Sequence, residues 1–162
     1  MRGLKLNNFV DTILEEITAS LPDAHEATRS VIRLVVALMA GAIIGFQRER
    51  SGKAAGLRTH MLVCLGTTLF ILAGLDNGMR QDAMSRIVQG LVTGIGFLGA
   101  GAILKLENER LIQGLTTAAS IWMTAAIGVM IGLGQLGTAM FGVLFAWIVL
   151  AVLIRLERSS NK

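Results

Sequence analysis

The stretch IVQGLVTGIGFLGAGAIL, from Ile87 to Leu104, decides the fold class of this chain. It contains no charged residue and no proline. As an α-helix that rises about 1.5 Å per residue, it would cross most of the roughly 30 Å hydrocarbon layer of a bilayer. A soluble helix of this length would need a polar face, so the stretch predicts a transmembrane helix.

Four further apolar blocks accompany this stretch. Each of the five blocks is about 17–23 residues long, which is the length that a transmembrane helix requires. They run roughly over residues 27–46, 59–75, 87–104, 111–133 and 136–154. Because Gly134 and Gln135 form the shortest connection, the last two helices are predicted to be an antiparallel hairpin.

The composition supports the same class. The chain has 162 residues, of which 53% are hydrophobic and 16% are charged, and its mean hydropathy is +0.64. Soluble domains carry about 25% charged residues, so these charges are too few to cover a water-exposed surface. The predicted fold is an all-α integral membrane protein, a bundle of about five glycine-rich transmembrane helices. Its expected parts are an N-terminal amphipathic or flexible segment (1–28), a transmembrane helical domain (29–156) and a cytoplasmic tail (157–162).

The N-terminal segment leaves two interpretations open. Phe9, Ile13, Ile17 and Leu21 recur at helical spacing, and acidic residues occupy the other faces. This pattern fits an amphipathic helix on the membrane surface or on a partner, or else a partly ordered tail. In either case Pro22 ends the segment.

Basic residues cluster at the ends of the apolar blocks. The loop after the first block is the richest in them, and the third loop and the C-terminal tail carry more. The positive-inside rule therefore predicts a cytoplasmic C-terminus close to anionic lipid. Nucleic-acid binding is not expected despite the formal charge of +4, because no basic stripe with interleaved aromatic residues exists.

Glycines recur at the spacing of membrane helix contacts. Three pairs follow the G-x-x-x-G pattern, which lets two helix backbones approach closely. The glycines predicted to pack helices are Gly41, Gly45, Gly90, Gly94, Gly96, Gly99, Gly101, Gly128 and Gly132. The alternative is a bent or unwound segment whose freed carbonyl groups line a polar cavity. The third block also matches G-x-G-x-x-G, but it lacks the strand and the acidic residue of a dinucleotide site, so no cofactor is expected.

Polar side chains lie on the third and fourth blocks. Thr117, Ser120 and Thr124 share one helix face, where their hydroxyl groups can bond within the helix or reach Gln89 and Thr93. Two interpretations stay open at this point: hydrogen bonds that join helices, or the lining of a solute path.

Charged side chains give no sign of catalysis. Asp82 and Arg86 are four residues apart, which predicts a local ion pair rather than a metal site. No cluster of carboxylates exists to strip Mg²⁺ of its water, so metal binding stays unknown. His25 and His60 are far apart and lack a nucleophile in a recognisable setting, so the chain is not expected to be an enzyme.

Three segments carry a family resemblance. They are GAIIGFQRERSGKAAGLRTHMLVCLG (41–66), DAMSRIVQGLVTGIGFLGAGAIL (82–104) and GLTTAASIWMTAAIGVMIGLG (114–134), and their most specific pieces are AGLRTH, GIGFLGAG and GLTTAA. Together they resemble the MgtC/SapB family of bacterial inner-membrane proteins. By motif match, the resemblance assigns roles at helix ends, at an internal polar site or at a partner contact to Arg48, Arg58, Thr59, Asp82, Arg86, Thr116 and Thr117.

The resemblance implies a five-span domain linked to magnesium limitation, acid stress and, in pathogens, survival inside host cells. Members of the family are similar to regulators rather than pumps, and some bind other membrane proteins, including the F-type ATP synthase. The family commonly has Glu-Arg where this chain has Gln47-Arg48. Many virulence-type members also continue into a soluble C-terminal domain, and this chain is expected to represent the short form without that domain.

These observations favour a regulatory membrane protein that acts by helix–helix contact, with a homodimer as the expected oligomer. The bilayer and other membrane proteins such as the F-type ATP synthase are its expected partners. The rival hypothesis is a small transporter or channel for magnesium, protons or another ion, with Gln89, Thr93, Ser120 and Thr124 along the path. A structural or lipid-organising protein is a third possibility.

Overall fold

The computed structural model of the chain describes residues 2–19, 23–105 and 112–160. Almost all of this part is helical. Its helices are α1 (Arg2–Ala19), α2 (Ala24–Arg50), α3 (Leu57–Asp76), α4 (Gln81–Gly101), α5 (Leu115–Gly132) and α6 (Leu136–Ser160). Between α4 and α5, the two-residue strands β1 (Leu104–Lys105) and β2 (Ile112–Gln113) pair antiparallel.

Four of these helices are long and apolar enough to cross a membrane, namely α2, α3, α4 and α5. The described apolar part of α6, Leu136–Ala151, is shorter, although its helical backbone continues to Ser160. Phe97 is 81% exposed and Phe141 is 62% exposed, as expected of apolar surfaces that lipid covers. The chain is an all-α membrane protein, as predicted, and a fifth crossing by α6 stays a prediction.

The third apolar block forms α4 with shifted ends. The predicted block was 87–104, whereas α4 begins at Gln81 and ends at Gly101. The helix starts earlier because the polar residues Gln81 and Asp82 already belong to its first turn, and the chain leaves it earlier to form β1. The helix is continuous through the glycine-rich stretch 90–101, so the alternative of an unwound segment is wrong.

A tight turn joins α5 to α6. Gly134 has a φ of +80°, a conformation that favours glycine at the residue after a helix. The amide of Gln135 donates to the carbonyl of Met130 at 2.9 Å, which closes the end of α5. The two helices pack against each other across this turn, and the predicted hairpin is confirmed.

The contacts divide the chain into two compact units, residues 1–32 and 33–162. In the first unit α1 is a helix with Phe9, Val10, Ile13 and Leu14 exposed. Leu21 and Pro22 of the predicted amphipathic segment lie outside the described residues. The domain limits at 28 and 156 stay predictions.

The core of the second unit surrounds α5, which packs against α3, α4 and α6. Its largest apolar cluster includes Ala37 and Ile44 of α2, Cys64 of α3, and Ile127 and Ile131 of α5. Cys64 is a free thiol that is completely buried there. This close packing positions the polar groups of α2, α3 and α5 described below.

Candidate functional site

The polar part of the interior lies where α2 ends and where α3 and α5 begin. Arg48 belongs to the last turn of α2, His60 to the first turns of α3 and Thr117 to the first turn of α5. All three side chains are buried. The helix ends thus bring together residues from three helices that are far apart in the sequence.

Arg48 is a completely buried cation, with a side-chain exposure of 0%. Its Nη2 donates a hydrogen bond to the Thr117 hydroxyl at 2.9 Å. Its Nε and Nη1 atoms are buried without a hydrogen-bond partner in the described part of the chain. Burying a charge costs on the order of several kcal/mol even after relaxation, so a guanidinium that is only partly satisfied calls for an explanation.

His60 joins α3 to α5. Its Nδ1 is 2.9 Å from the carbonyl of Gly56 and its Nε2 is 3.1 Å from the Ser120 hydroxyl. Because a carbonyl can only accept, Nδ1 carries a proton and donates it to the Gly56 carbonyl. The Ser120 hydroxyl is also 2.8 Å from the carbonyl of Thr117. His60 and Ser120 therefore link the α3–α5 contact to the helix turn that holds Arg48.

Further hydroxyl groups continue this polar line into the membrane-spanning part. Thr124 donates to the carbonyl of Ser120 at 2.8 Å within α5, and Thr67 bonds within α3 to the carbonyl of Cys64 at 3.0 Å. Thr68 donates to the carbonyl of Gly128 at 2.9 Å, across the two helices. Each of these three hydroxyl groups therefore bonds to a backbone carbonyl, and the bond of Thr68 joins two helices.

A pocket of about 460 Å³ opens beside Arg48. The described residues of its lining include one further cation, Lys53, and no acidic side chain. Its lining residues are Arg48, Gly52, Lys53, Ala54, Ala102, Gln113, Gly114, Leu115, Thr116 and Thr117. The described part of the lining is therefore positively charged and rich in hydrogen-bond donors.

The N-terminus of α5 forms one wall of this pocket. Gly114 is the residue before the helix, has a φ of +93° and provides no side chain to cap the first turn. The first N–H groups of a helix have no acceptor within the helix and carry its partial positive charge. A Cβ at Gly114 would collide with the carbonyl of Ala102, so glycine is needed for this close approach.

Gln47 fills a position where the resembled family commonly has an acid. Its Nε2 donates to the carbonyl of Leu150 in α6 at 2.6 Å, while its Oε1 is buried without a partner among the described residues. A carboxylate has no donor for the Leu150 carbonyl. The amide at this position therefore ties α2 to α6 through a contact that an ionised glutamate could not make.

The structure separates the predicted polar residues into several places. Arg48 and Thr117 lie together, with Ser120 and Thr124 along the same face of α5. Thr116 lines the pocket with an exposed side chain. The remaining candidates lie at the surface or only partly buried: Arg58, Thr59, Asp82, Arg86, Gln89 and Thr93.

Two pairs of these residues test the predicted ion pair and the predicted polar path. Asp82 and Arg86 form the predicted ion pair at 3.3 Å, with exposures of 67% and 71%. Thr93 donates to the carbonyl of Gln89 within α4, at 3.0 Å, and both side chains are exposed. Gln89 and Thr93 are thus not brought together with the buried hydroxyl groups of α5.

The predicted packing glycines also divide into two groups. A Cβ at Gly41 would lie 2.6 Å from the carbonyl oxygen of His60, and one at Gly132 would lie 2.6 Å from Cβ of Ile71. The glycines at close helix contacts are Gly41, Gly45, Gly128 and Gly132, and Gly99 makes an ordinary contact with Ala118. By contrast, a Cβ would have no neighbouring atom within 4 Å at Gly90, Gly94, Gly96 or Gly101.

No group of three His, Cys, Asp or Glu side chains could hold a metal ion in the part of the chain that the structure describes. Sequence reasoning missed His60, Thr67 and Thr68 as interior polar residues. Their spacing of seven and eight positions along α3 places them on one helix face, and this signal could have revealed them. Arg33 of α2 finds a carbonyl partner, since its Nη1 donates to the carbonyl of Gly132 at 2.9 Å.

The fold and the site define a polytopic α-helical membrane protein with a buried cation and a polar helix–helix contact. A sequence profile of the MgtC family matches residues 34–159, so the chain belongs to this family. The relatives include Protein SrpB of Synechococcus elongatus, which is 42% identical over 137 residues. That alignment covers 78% of this chain and 75% of SrpB.

Two further relatives are longer than the region that they share with this chain. "Putative magnesium transporter YhiD" of Escherichia coli is 43% identical over 140 residues, which cover 82% of this chain and 64% of YhiD. Protein MgtC of Salmonella typhimurium is 43% identical over 110 residues, which cover 68% of this chain and 46% of MgtC. No solved structure matches the chain.

Proposed function

We propose that the protein is a regulator in the bacterial inner membrane, that it acts under magnesium limitation, and that it works through helix contacts of α4 with other membrane proteins. In this proposal the C-terminus and the Arg48 end of the bundle face the cytoplasm, as the basic loops predict. The name of YhiD as a putative magnesium transporter supports the link to magnesium. A second copy of the chain and the F-type ATP synthase are the first candidate partners.

The observation that carries the proposal is the outer face of α4. Gly90, Gly94 and Gly101 recur at helical spacing, and a Cβ at any of them would meet nothing within 4 Å. Only 11% of the apolar stretch of α4 is buried, against 50% in α5. Membrane helices associate through close backbone approach over small residues rather than through hydrophobic burial. This face therefore has the chemistry of a helix contact and no occupant from the described chain.

A groove beside these glycines fits the same role. It has a volume of about 580 Å³, and Phe70, Ile87, Gly90 and Gly94 are among its lining residues. Its walls come from α3 and α4. A transmembrane helix of another protein could place its own small residues against Gly90 and Gly94.

The interior of the bundle favours a function through helix contacts rather than through cation transport. Its buried charge is the cation Arg48, which opposes the entry of Mg²⁺ by electrostatic repulsion. The buried hydroxyl groups of Thr68 and Thr124 already bond to protein carbonyls. Mg²⁺ gives up its water reluctantly and prefers carboxylate ligands, and Asp82 lies exposed at the far end of α4.

Site-specific photo-cross-linking tests the proposal in magnesium-limited cells. A photoreactive amino acid at Phe97, on the exposed side of α4, is expected to cross-link to a second membrane protein or a second copy. The matched control is Phe141 of α6, another exposed aromatic residue. Gly94→Leu should remove the cross-link at position 97 and impair growth at low magnesium, with unchanged protein in the membrane. Equal cross-linking at both positions, or normal growth of the Gly94→Leu strain, would refute the proposal.

An ion transporter is the second candidate, and one observation favours it. Polar side chains continue from Arg48 through Thr117, His60 and Ser120 to Thr124 along the α3–α5 contact. Purified protein in liposomes would show Mg²⁺ or proton flux above empty liposomes if this line were a path. Ser120→Leu should then abolish the flux, while the exposed control Thr93→Leu should leave it intact. Absence of flux from folded protein would exclude transport by the chain alone.

A further inference from the structure

We infer that the pocket beside Arg48 is a binding site for a phosphate-type oxyanion, either free phosphate or the phosphate of a lipid headgroup. This site lies at the opposite end of α4 from Asp82 and Arg86 and goes beyond the proposed regulatory contact. The inference depends on three observations: the buried guanidinium, the uncapped start of α5 and the charge of the pocket lining.

The first observation is the incomplete bonding of Arg48. The side chain is completely buried and lines the pocket, and Nε and Nη1 have no partner among the described residues. The Thr117 hydroxyl accepts a hydrogen bond from Nη2 alone. Buried cations in proteins are normally paired with an anion, and arginine in particular binds phosphate oxygens through its N–H groups. An oxyanion in the pocket would supply this missing pairing.

The second observation is the N-terminus of α5, which is 18 residues long. Its first turn lines the pocket through Leu115, Thr116 and Thr117, and it has no side-chain cap because Gly114 has no side chain. The start of α3 differs, since Glu49 accepts a hydrogen bond from the Leu57 amide at 2.8 Å. A helix N-terminus that lacks its own carboxylate attracts an external anion, and phosphate is the anion most often bound there.

The third observation is the composition of the lining. Lys53 adds a second positive charge at the rim, and Gln113, Thr116 and Thr117 add uncharged donors. The described lining residues include no acidic side chain that would oppose an anion. A volume of about 460 Å³ accommodates a phosphate group and part of a headgroup. Several donors in one lining suit an oxyanion with several acceptor oxygens better than a monatomic anion.

The test is binding of inorganic phosphate to the purified full chain in a neutral detergent, measured by calorimetry. Wild-type protein is expected to bind, and Lys53→Gln should weaken binding about tenfold, since one charge-assisted hydrogen bond is lost. Arg48→Met should abolish binding. If Arg48→Met fails to fold, Arg48→Lys and Gln113→Leu replace it, and both should weaken binding in folded protein.

The matched control is Arg50→Gln, because Arg50 is a nearby exposed cation that lies outside the pocket lining. Arg50→Gln should bind phosphate as tightly as the wild type. Absence of phosphate binding to wild type, or equal weakening by Lys53→Gln and Arg50→Gln, would overturn the inference.

A second experiment identifies the source of the oxyanion by measuring phosphate binding to the protein in nanodiscs, where lipid headgroups can compete for the pocket. Loss of phosphate binding in phosphatidylglycerol but not in phosphatidylcholine identifies a lipid headgroup, and undiminished binding in both identifies free phosphate.

The phosphate-binding test is independent of the proposed regulatory contact. The phosphate measurement uses purified protein without a partner, and its variants lie in the last turn of α2, in the loop after α2 and in β2. The regulatory proposal is tested separately, by cross-linking and growth of cells that carry α4 variants. A variant pair such as Lys53→Gln and Gly94→Leu therefore separates the two.

Discussion

The α3–α5 contact and the outer face of α4 carry the same sequence pattern with opposite outcomes. Gly128 and Gly132 form a G-x-x-x-G pair in α5, and a Cβ at either position would collide with α3. Gly90 and Gly94 form the same pattern in α4, and a Cβ at either would meet no atom within 4 Å. The pattern therefore predicts a helix contact but does not tell whether the contact lies within the chain.

The two regions differ in what faces the glycines. Opposite Gly128, α3 presents Thr67 and Thr68, and Thr68 donates to the carbonyl of Gly128. On α4 the glycines share their exposed side with Thr93, which bonds within its own helix. A polar group that crosses between helices thus distinguishes the contact within the chain from the open face. The predictions below test this distinction by the free energy of unfolding in detergent, from the largest expected loss to the smallest.

The largest loss is expected for Gly132→Val in the α3–α5 contact. The added Cβ would lie 2.6 Å from Cβ of Ile71 and 3.1 Å from the carbonyl oxygen of Thr68, so the two helices must separate. Overpacking of this kind costs about 1–3 kcal/mol or more. Thermal or denaturant unfolding of the purified variant should show this loss, and wild-type stability would contradict the close contact.

A smaller loss is expected when the crossing hydrogen bond is removed. Thr68→Val keeps the shape of the side chain but leaves the Gly128 carbonyl without this donor. Hydrogen bonds between membrane helices contribute about 0.6 to 1.7 kcal/mol, and we expect a loss in that range. The matched control is Thr93→Val on α4, whose hydroxyl bonds only within its own helix. Equal losses in both variants would show that the hydrogen bond between the helices contributes no more to the free energy of unfolding than the bond within α4.

The sequence could predict the helices because hydropathy reports exposure to lipid. The five blocks follow from the length of their apolar runs, the α5–α6 hairpin from its short connection, and the shared face of Thr117, Ser120 and Thr124 from helical spacing. The ends of α4 could not be predicted, since a membrane helix can continue past the apolar layer, as it does at Gln81.

The inward side of α4 could not be predicted for a different reason. Ile95 and Gly99 face inward, whereas Gly90 and Gly94 are exposed. In lipid neither side is favoured by hydrophobic burial, so small and large apolar residues are equally able to lie at the surface. The meeting of Arg48 with Thr117 also escaped prediction, because the two residues are 69 positions apart in the sequence and only packing brings them together.

Only a few tenths of a kcal/mol are expected from the exposed ion pair at the start of α4. Asp82 and Arg86 are 3.3 Å apart, and both side chains are more than half exposed. Exposed pairs at this helical spacing contribute about 0.3–0.5 kcal/mol and are screened by salt. Asp82→Asn should therefore lower the free energy of unfolding slightly at low salt and leave it unchanged at high salt. A larger loss that salt does not reduce would show that Asp82 has a further partner.

No loss of folding stability is expected for Gly94→Leu on the outer face of α4. The added side chain meets no atom of the described chain within 4 Å of its Cβ, and leucine is a better helix former than glycine by up to about 1 kcal/mol. The free energy of unfolding of the purified variant should therefore be at least that of the wild type, in contrast to Gly132→Val. In the membrane the same leucine would hold a second helix away from Gly90 and Gly94, so chemical cross-linking between copies or to another protein should fall. A variant that loses stability as purified monomer would place this face inside the fold, and unchanged cross-linking would exclude it as a contact.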